Sequence, residues 1–427
     1  MDGAREDAHP TAREDARALL ERAFRADYGR ILAALAVRFR DIGRAEEALG
    51  EALAAAAERW AVKGAPADPA AWLYRVAERR ALDATRRHSR RAAARDAVAD
   101  HTRLLAGDRT DPATARATAV PDERLKLMFA CCHPAIDARV RAPLTLQTVA
   151  GLDARRIARA FLVSERAMAQ RLVRAKRKIR QARIPFREPE PADLAARLEG
   201  VLAVIYLIYN EGHSDAATAD PERAALRDEA LWLGRVLVHL MPGEPEPLGL
   251  MSLMLYAQSR THSRVGADGV LIPLADQDTT RWDRGQMVAA GQLLGQAAAL
   301  ARPGPYQTQA AIQSAHAARA ATGSTDWTAI AGLYDALMTM TPTPVVALNR
   351  AIALSYARDA AAGLQALDAI ADTKALAAYQ PYWAARADLL ARVGRAADAR
   401  AAYDRALVLT LDEPERAFLK QRLAALG

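Results

Sequence analysis

Between Leu152 and Ile179 the chain spaces its residue types in a way that suits reading of nucleic-acid bases. Ile157, Ala158 and Phe161 fall on one face of a short helix, and Leu162-Val163-Ser164 makes a turn. Ser164 is suited to cap a second helix, on which Met168, Leu172, Ala175 and Ile179 recur at helical spacing. Ala167, Gln170, Arg171, Arg174 and Lys178 then point away from that apolar stripe. Arg and Gln can bind base edges in pairs of hydrogen bonds, a small Ala allows close approach, and flanking Lys and Arg neutralise phosphates. The spacing predicts a helix-turn-helix, and a generic helical hairpin would share its apolar periodicity.

Other chemistry finds less support. Glu211, His213, Asp278 and Asp283 could be drawn as acid/base or metal groups. No His-Glu-x-x-His, Gly-rich phosphate loop or Gly-x-Ser-x-Gly elbow accompanies them. Cys131-Cys132-His133 supplies part of a tetrahedral zinc site without a second ligand pair, so a buried thiol pair is expected and no metal. Asn210 to Ser214 reads as a helix C-terminal turn, with Gly212 as a left-handed cap. No cofactor and no catalytic residue is expected.

The elements that position these residues are helical. The chain has 427 residues, 51% hydrophobic but only 5% aromatic, and alanine is about a quarter of it. Ala favours helices whereas β-branched and aromatic residues favour strands, so the expected fold class is all-α. Two adjacent cysteines exclude a disulfide framework and fit a reducing, cytoplasmic setting. Met1 to Asp15 lacks the apolar core of a signal peptide, and the longest uncharged apolar run, Gly200 to Tyr209, is short of a membrane span.

Charge divides the chain. Up to Glu190 it carries 38 Lys and Arg against 26 Asp and Glu, net +12, and the remainder is net −4. Arg155 to Arg187 holds twelve basic residues and one acid, Glu165. Arg75 to Arg95 holds eight basic residues against Glu78 and Asp83. Two basic clusters on separate helical segments suggest two contacts with a polyanion. Pro- and Gly-bearing breaks and composition shifts give domains at 13–91, 122–187, 192–300 and 301–427, with 92–121 a linker. A short strand pair is expected around Asp268-Gly269. Tyr334-Asp335, Leu367-Asp368 and Tyr403-Asp404 lie 33 and 36 residues apart, and Asn349-Arg350 and Ala385-Arg386 repeat at 36. That period fits tetratricopeptide-like helix pairs.

Arg156-Ile-Ala-Arg-Ala-Phe-Leu-Val-Ser-Glu165 with Ala169-Gln-Arg-Leu-Val-Arg-Ala-Lys-Arg-Lys-Ile179 resembles region 4 of bacterial extracytoplasmic-function sigma factors. Asp41 to Ala52 and Asp68 to Asp83 resemble their region 2. Phe129-Ala-Cys-Cys-His-Pro134, Tyr209-Asn-Glu-Gly-His213, Gln277-Asp278, Trp282-Asp283 and Gly304-Pro-Tyr-Gln307 resemble the subgroup with a long tetratricopeptide-like extension.

The resemblance implies a function: directing core RNA polymerase to promoters, with regulation in cis by the extension. It implies that Asp41, Ile42, Ala45, Glu46, Glu47 and Glu51 dock on the β′ clamp helices, and that the polymerase β flap is a further partner. Lys63, Trp72, Arg75, Arg79, Arg80, Arg86 and Arg87 would engage the −10 element of promoter DNA. Trp72 has an equal claim as a core residue. Ser164, Arg166, Ala167, Gln170, Arg171, Arg174, Lys176 and Lys178 would read the −35 duplex. An intramolecular contact between extension and sigma-like domains is implied, and no membrane. A one-component regulator, a helix-turn-helix fused to a repeat sensor, is the alternative; it leaves the first ninety residues unexplained.

Overall fold

The computed structural model describes residues 20, 27–39, 41–99, 122–161, 163–181, 190–213, 221–370, 376–410 and 412–426. Among these every regular element is helical, as Ala-rich composition demands; the expected strand pair is reduced to one antiparallel bridge, Val265 to Leu271. The strand fails to extend because its neighbouring groups are taken elsewhere: Leu271 N–H donates to Pro414 O at 3.2 Å, and short 3-10 turns follow on either side.

The chain divides into two compact units, residues 1–204 and 205–427. In the first, residues 27–39 form α1, Ile42–Lys63 α2 and Pro69–Ala99 α3. Asp41 caps α2 by accepting from Arg44 N–H at 3.1 Å. Leu32, Leu35, Ile42, Leu49 and Leu73 are buried between these helices, and α2 packs along α3. Trp60 of α2 is 2% exposed and meets half-buried Trp72 of α3 edge-on, with ring centroids 5.5 Å apart. Helix α3 runs through the first eight residues of the expected linker, because Ala92-Ala-Ala-Arg95 supplies helix propensity where apolar periodicity is missing. Residues 100–121 lie outside the described residues.

Glu123–Cys131 (α4), Ala138–Val149 (α5), Ala154–Ala160 (α6) and Glu165–Gln181 (α7) complete this unit with the first turns of Pro191–His213 (α8). Leu125 through Cys131 are all buried, so α4 is its central helix. Arg197 of α8 donates to Phe129 O at 3.2 Å, and Gly200 lets α8 approach the Cys132 sulfur. Gly29 of α1 lies against the end of α5, where a Cβ would fall 1.8 Å from Val149 O.

Burial pushes both thiols up to about 12. Neutral and covered, Cys131 and Cys132 are expected to stay unmodified by a thiol-disulfide reagent at pH 8 in folded protein and to react fully in denaturant. Rapid native labelling would contradict the packing.

In the second unit, Pro221–Leu240 (α9) and Arg284–Ala299 (α11) flank Pro245–Gln258 (α10), which also packs against Pro305–Ala317 (α12). Eleven of the fourteen residues of α10 are buried, as expected of a helix apolar all round. Gly249 makes its crossing with α12 possible, since a Cβ there would stand 2.6 Å from Gln307 N. The expected turn at Asn210 to His213 is a correction: α8 continues through His213, and Gly212 is buried without a left-handed φ. Packing of Tyr209, whose hydroxyl donates to Met254 O at 2.9 Å, holds those last residues in the helix. Ser214 lies outside the described residues.

After the short helix Arg319–Thr322 (α13), the helices Trp327–Met340 (α14), Pro344–Ala357 (α15), Ala360–Asp368 (α16), Gln380–Arg392 (α17), Ala396–Leu409 (α18) and Glu413–Ala424 (α19) each pack on the next. Sequential stacking is the architecture of helical repeats. Arg350, Arg386 and Arg422 are spaced by 36 and each reaches an acid on another helix of the stack. Arg350 pairs with Asp335, Arg386 with Asp368, and Arg422 with Asp388.

Candidate nucleic-acid interface

Asp153 begins the helical hairpin by accepting from Arg156 N–H at 2.7 Å at the start of α6. The turn closes through Val163 N–H to Ala158 O at 3.0 Å, and Ser164 Oγ accepts from Ala167 N–H at 3.3 Å, the expected cap of α7. Ile157, Ala158, Met168, Leu172, Ala175 and Ile179 are buried, and α5 packs against both helices. With that stripe turned inward, the 3.6-residue period turns Arg166, Gln170, Arg171, Arg174 and Lys178 outward. All five are exposed, as is Ser164, while Ala167 is half-buried. Arg174 reaches only Gln170 Oε1, at 3.4 Å, and none of the four basic residues forms an ion pair among the described residues. A helix offering unneutralised guanidinium and amide groups along one face has the donors needed for guanine and adenine edges.

Lys176 is set apart from this face. It is half-buried and its Nζ lies 2.6 Å from Glu46 Oε1 of α2. One residue expected on DNA and one expected on polymerase are therefore bonded to each other, a pairing 130 residues apart that no local pattern announces.

On α2, Ile42 and Ala45 are core residues and Asp41 is the helix cap. Glu47 is exposed, and Glu51 pairs with Arg80 at 3.1 Å. Lys63, Arg75 and Arg79 are exposed, with Arg75 Nε donating to its own helix at Ala71 O. The side chains of Arg86 and Arg87 lie outside the described residues. Arg38 binds Glu78 at 2.8 Å across α1 and α3. Exposed pairs of this kind contribute at most about 1 kcal/mol. They leave the exposed Arg75 and Arg79 of α3 available.

Residues 197–298 match a family described as a family of unknown function, DUF6596. The chain is 41% identical over 396 residues to the uncharacterized protein R00370 of Rhizobium meliloti (strain 1021), covering 92% of each. It belongs to the family of that protein. The DUF6596 segment begins within α8 and ends within α11, so it carries Tyr209, His213, Arg260 and Trp282 but none of the α6–α7 hairpin.

Within the DUF6596 segment two acids serve as helix caps. Asp278 caps a 3-10 turn through Thr280 N–H at 2.9 Å, and Asp283 caps α11 through Gln286 N–H at 3.0 Å. No three His, Cys, Asp or Glu side chains converge as a metal site among the described residues, and no described helix is long and apolar enough to cross a membrane. His213 is pushed down to about 3, first by burial and then by Arg264, Arg260 and Arg227. His316 falls to about 4 by burial, Arg260 and Arg319.

Both imidazoles are neutral when folded and protonate near pH 6.5 when unfolded, so the unfolded state takes up more protons as pH falls. Their contribution to stability is fully present above pH 6.5 and is lost as pH drops toward 3 to 4. Denaturant midpoints between pH 7.5 and 4.5 are expected to fall less steeply in the His213→Gln/His316→Gln double variant. Parallel pH profiles would contradict the assignment.

Proposed function

We propose that the chain is a sigma factor of the extracytoplasmic-function type, directing core RNA polymerase to promoters through its first unit. The observation that carries this reading is the exposed face of α7, four cationic side chains and one amide on a helix held by a capped turn. Exposed Arg75 and Arg79 on α3 supply a second cationic surface for the opened −10 strand, where stacking and backbone charge hold unpaired bases. Trp72, half-buried against Trp60, joins that surface to the core.

On this reading α2 is the polymerase-docking helix, with Glu47 its open acid and Glu46 exchanging Lys176 for a partner on binding. The extension acts in cis on the same chain, in place of a separate inhibitor. Co-elution of the purified full chain with core polymerase tests the docking. A complex is expected for the wild type, and Glu47→Lys is expected to weaken it about tenfold or more, since like charge set against a complementary patch costs several kcal/mol. DNA binding without any complex with core would favour a one-component regulator.

A further inference from the structure

Four arginines of the second unit gather where their charge has little counterweight. Arg260 follows α10, Arg264 follows the next 3-10 turn, Arg227 sits on α9 and Arg319 opens α13. The Arg260 and Arg319 guanidinium carbons stand 5.9 and 5.2 Å from the centroid of one ring, Trp282. Arg264 donates to His213 O at 2.9 Å, and His213 feels Arg227, Arg260 and Arg264 together.

The carboxylates nearby serve the rim. Asp412 and Glu415 act on Arg264, and Asp228 lies 3.7 Å from Arg227 Nε but is largely exposed. For Arg260, burial is the largest effect and pulls it down to about 10; the Tyr209 hydroxyl opposes that, and Arg264 and Arg319 add to it. Arg260 spends Nη2 on Gln313 Oε1, at 2.5 Å, and leaves Nη1 buried with no partner among the described groups. Trp282 Nε1 on the adjoining ring is also buried without a partner. Like charges held together in low dielectric, with hydrogen-bond donors unspent, are costly unless an anion completes them. Arg260, Arg264, Arg319 and His213 are each half-buried, so none is sealed fully from solvent.

We infer that this cluster is a binding site for a small molecule bearing an oxyanion, carboxylate or phosphate, with Arg260 as the principal ligand-binding side chain and Arg319 beside it. Arg260 Nη1 would donate to such an oxygen and the Trp282 indole N–H adds a second donor, while Arg319, whose Nη atoms donate to Ala275 O and Gln277 O, adds positive charge. The assignment stands apart from the transcription reading, because it uses only residues of the second unit and a binding readout.

The test is calorimetric titration of the full chain with sodium phosphate and, separately, sodium succinate, each against sodium chloride at matched ionic strength. At least one anion is expected to bind saturably and raise the thermal midpoint, and which one binds identifies the oxyanion. Arg260→Gln and Arg319→Gln are each expected to weaken binding at least tenfold. Without added anion, Arg260→Gln is expected to melt at or above the wild-type midpoint, since it removes an uncompensated buried charge. Saturation by neither anion, undiminished binding in Arg260→Gln, or a lower midpoint for that variant without anion would each overturn the assignment.

Discussion

Exchanging Arg171 and Arg174 together for Ala is expected to lower affinity for the −35 duplex by about thirtyfold or more. A good paired contact to a base contributes about 1–3 kcal/mol of discrimination, so two removed contacts cost about 2–6 kcal/mol. Both side chains are exposed and form no ion pair among the described residues, so the fold is expected to stand, with stability changed by no more than about 0.5 kcal/mol. Fluorescence anisotropy on matched and scrambled −35 duplexes distinguishes the roles. Loss confined to the matched duplex marks base readout, whereas equal loss on both, with a shallower salt dependence, marks phosphate contact. A change below twofold on either duplex would remove α7 as the reading helix. Lys176→Ala, by contrast, is expected to act through the Glu46 pair and to leave the sequence preference unchanged.

The second large effect is on stability. Trp60→Ala is expected to destabilise the first unit by about 3–5 kcal/mol, because truncating a buried aromatic loses its transfer energy and leaves a cavity. Trp60 is 2% exposed and its Nε1 has no partner among the described groups, so the loss is one of packing and not of a hydrogen bond. Half-buried Trp72 has less to lose on truncation, and its Ala variant is expected to keep most of the stability while weakening −10 strand binding. Hydrogen exchange on α2 and α3 reads the difference. Equal protection in the two variants would mean that Trp60 does not anchor α2 to α3.

The α6–α7 hairpin was legible because its determinants are local. The expected serine cap lies where spacing put it, and six of the seven expected apolar positions are buried, Phe161 being half-buried; the Asp153 cap was not anticipated. The helical character of the second unit was legible for the same reason, since Ala-rich segments form helices wherever they lie.

What could not be read depends on distant pairing. The Glu46–Lys176 bond joins helices separated by more than a hundred residues, and the Arg260 cluster draws on side chains from His213 to Arg319. Ile42 and Ala45 were legible as helical but not as core, since an amphipathic helix shows its stripe without showing what covers it. At Gly212, tertiary packing of Tyr209 against α10 outweighed the local signal for a helix end.

Run-off transcription by core RNA polymerase on the DNA upstream of this chain's own gene tests the central claim most directly. The account predicts discrete transcripts that require the full chain and disappear with Arg171→Ala/Arg174→Ala. Formation of the complex with core but transcripts insensitive to that double substitution would contradict the role of α7. Neither transcripts nor a complex with core would contradict the sigma reading as a whole.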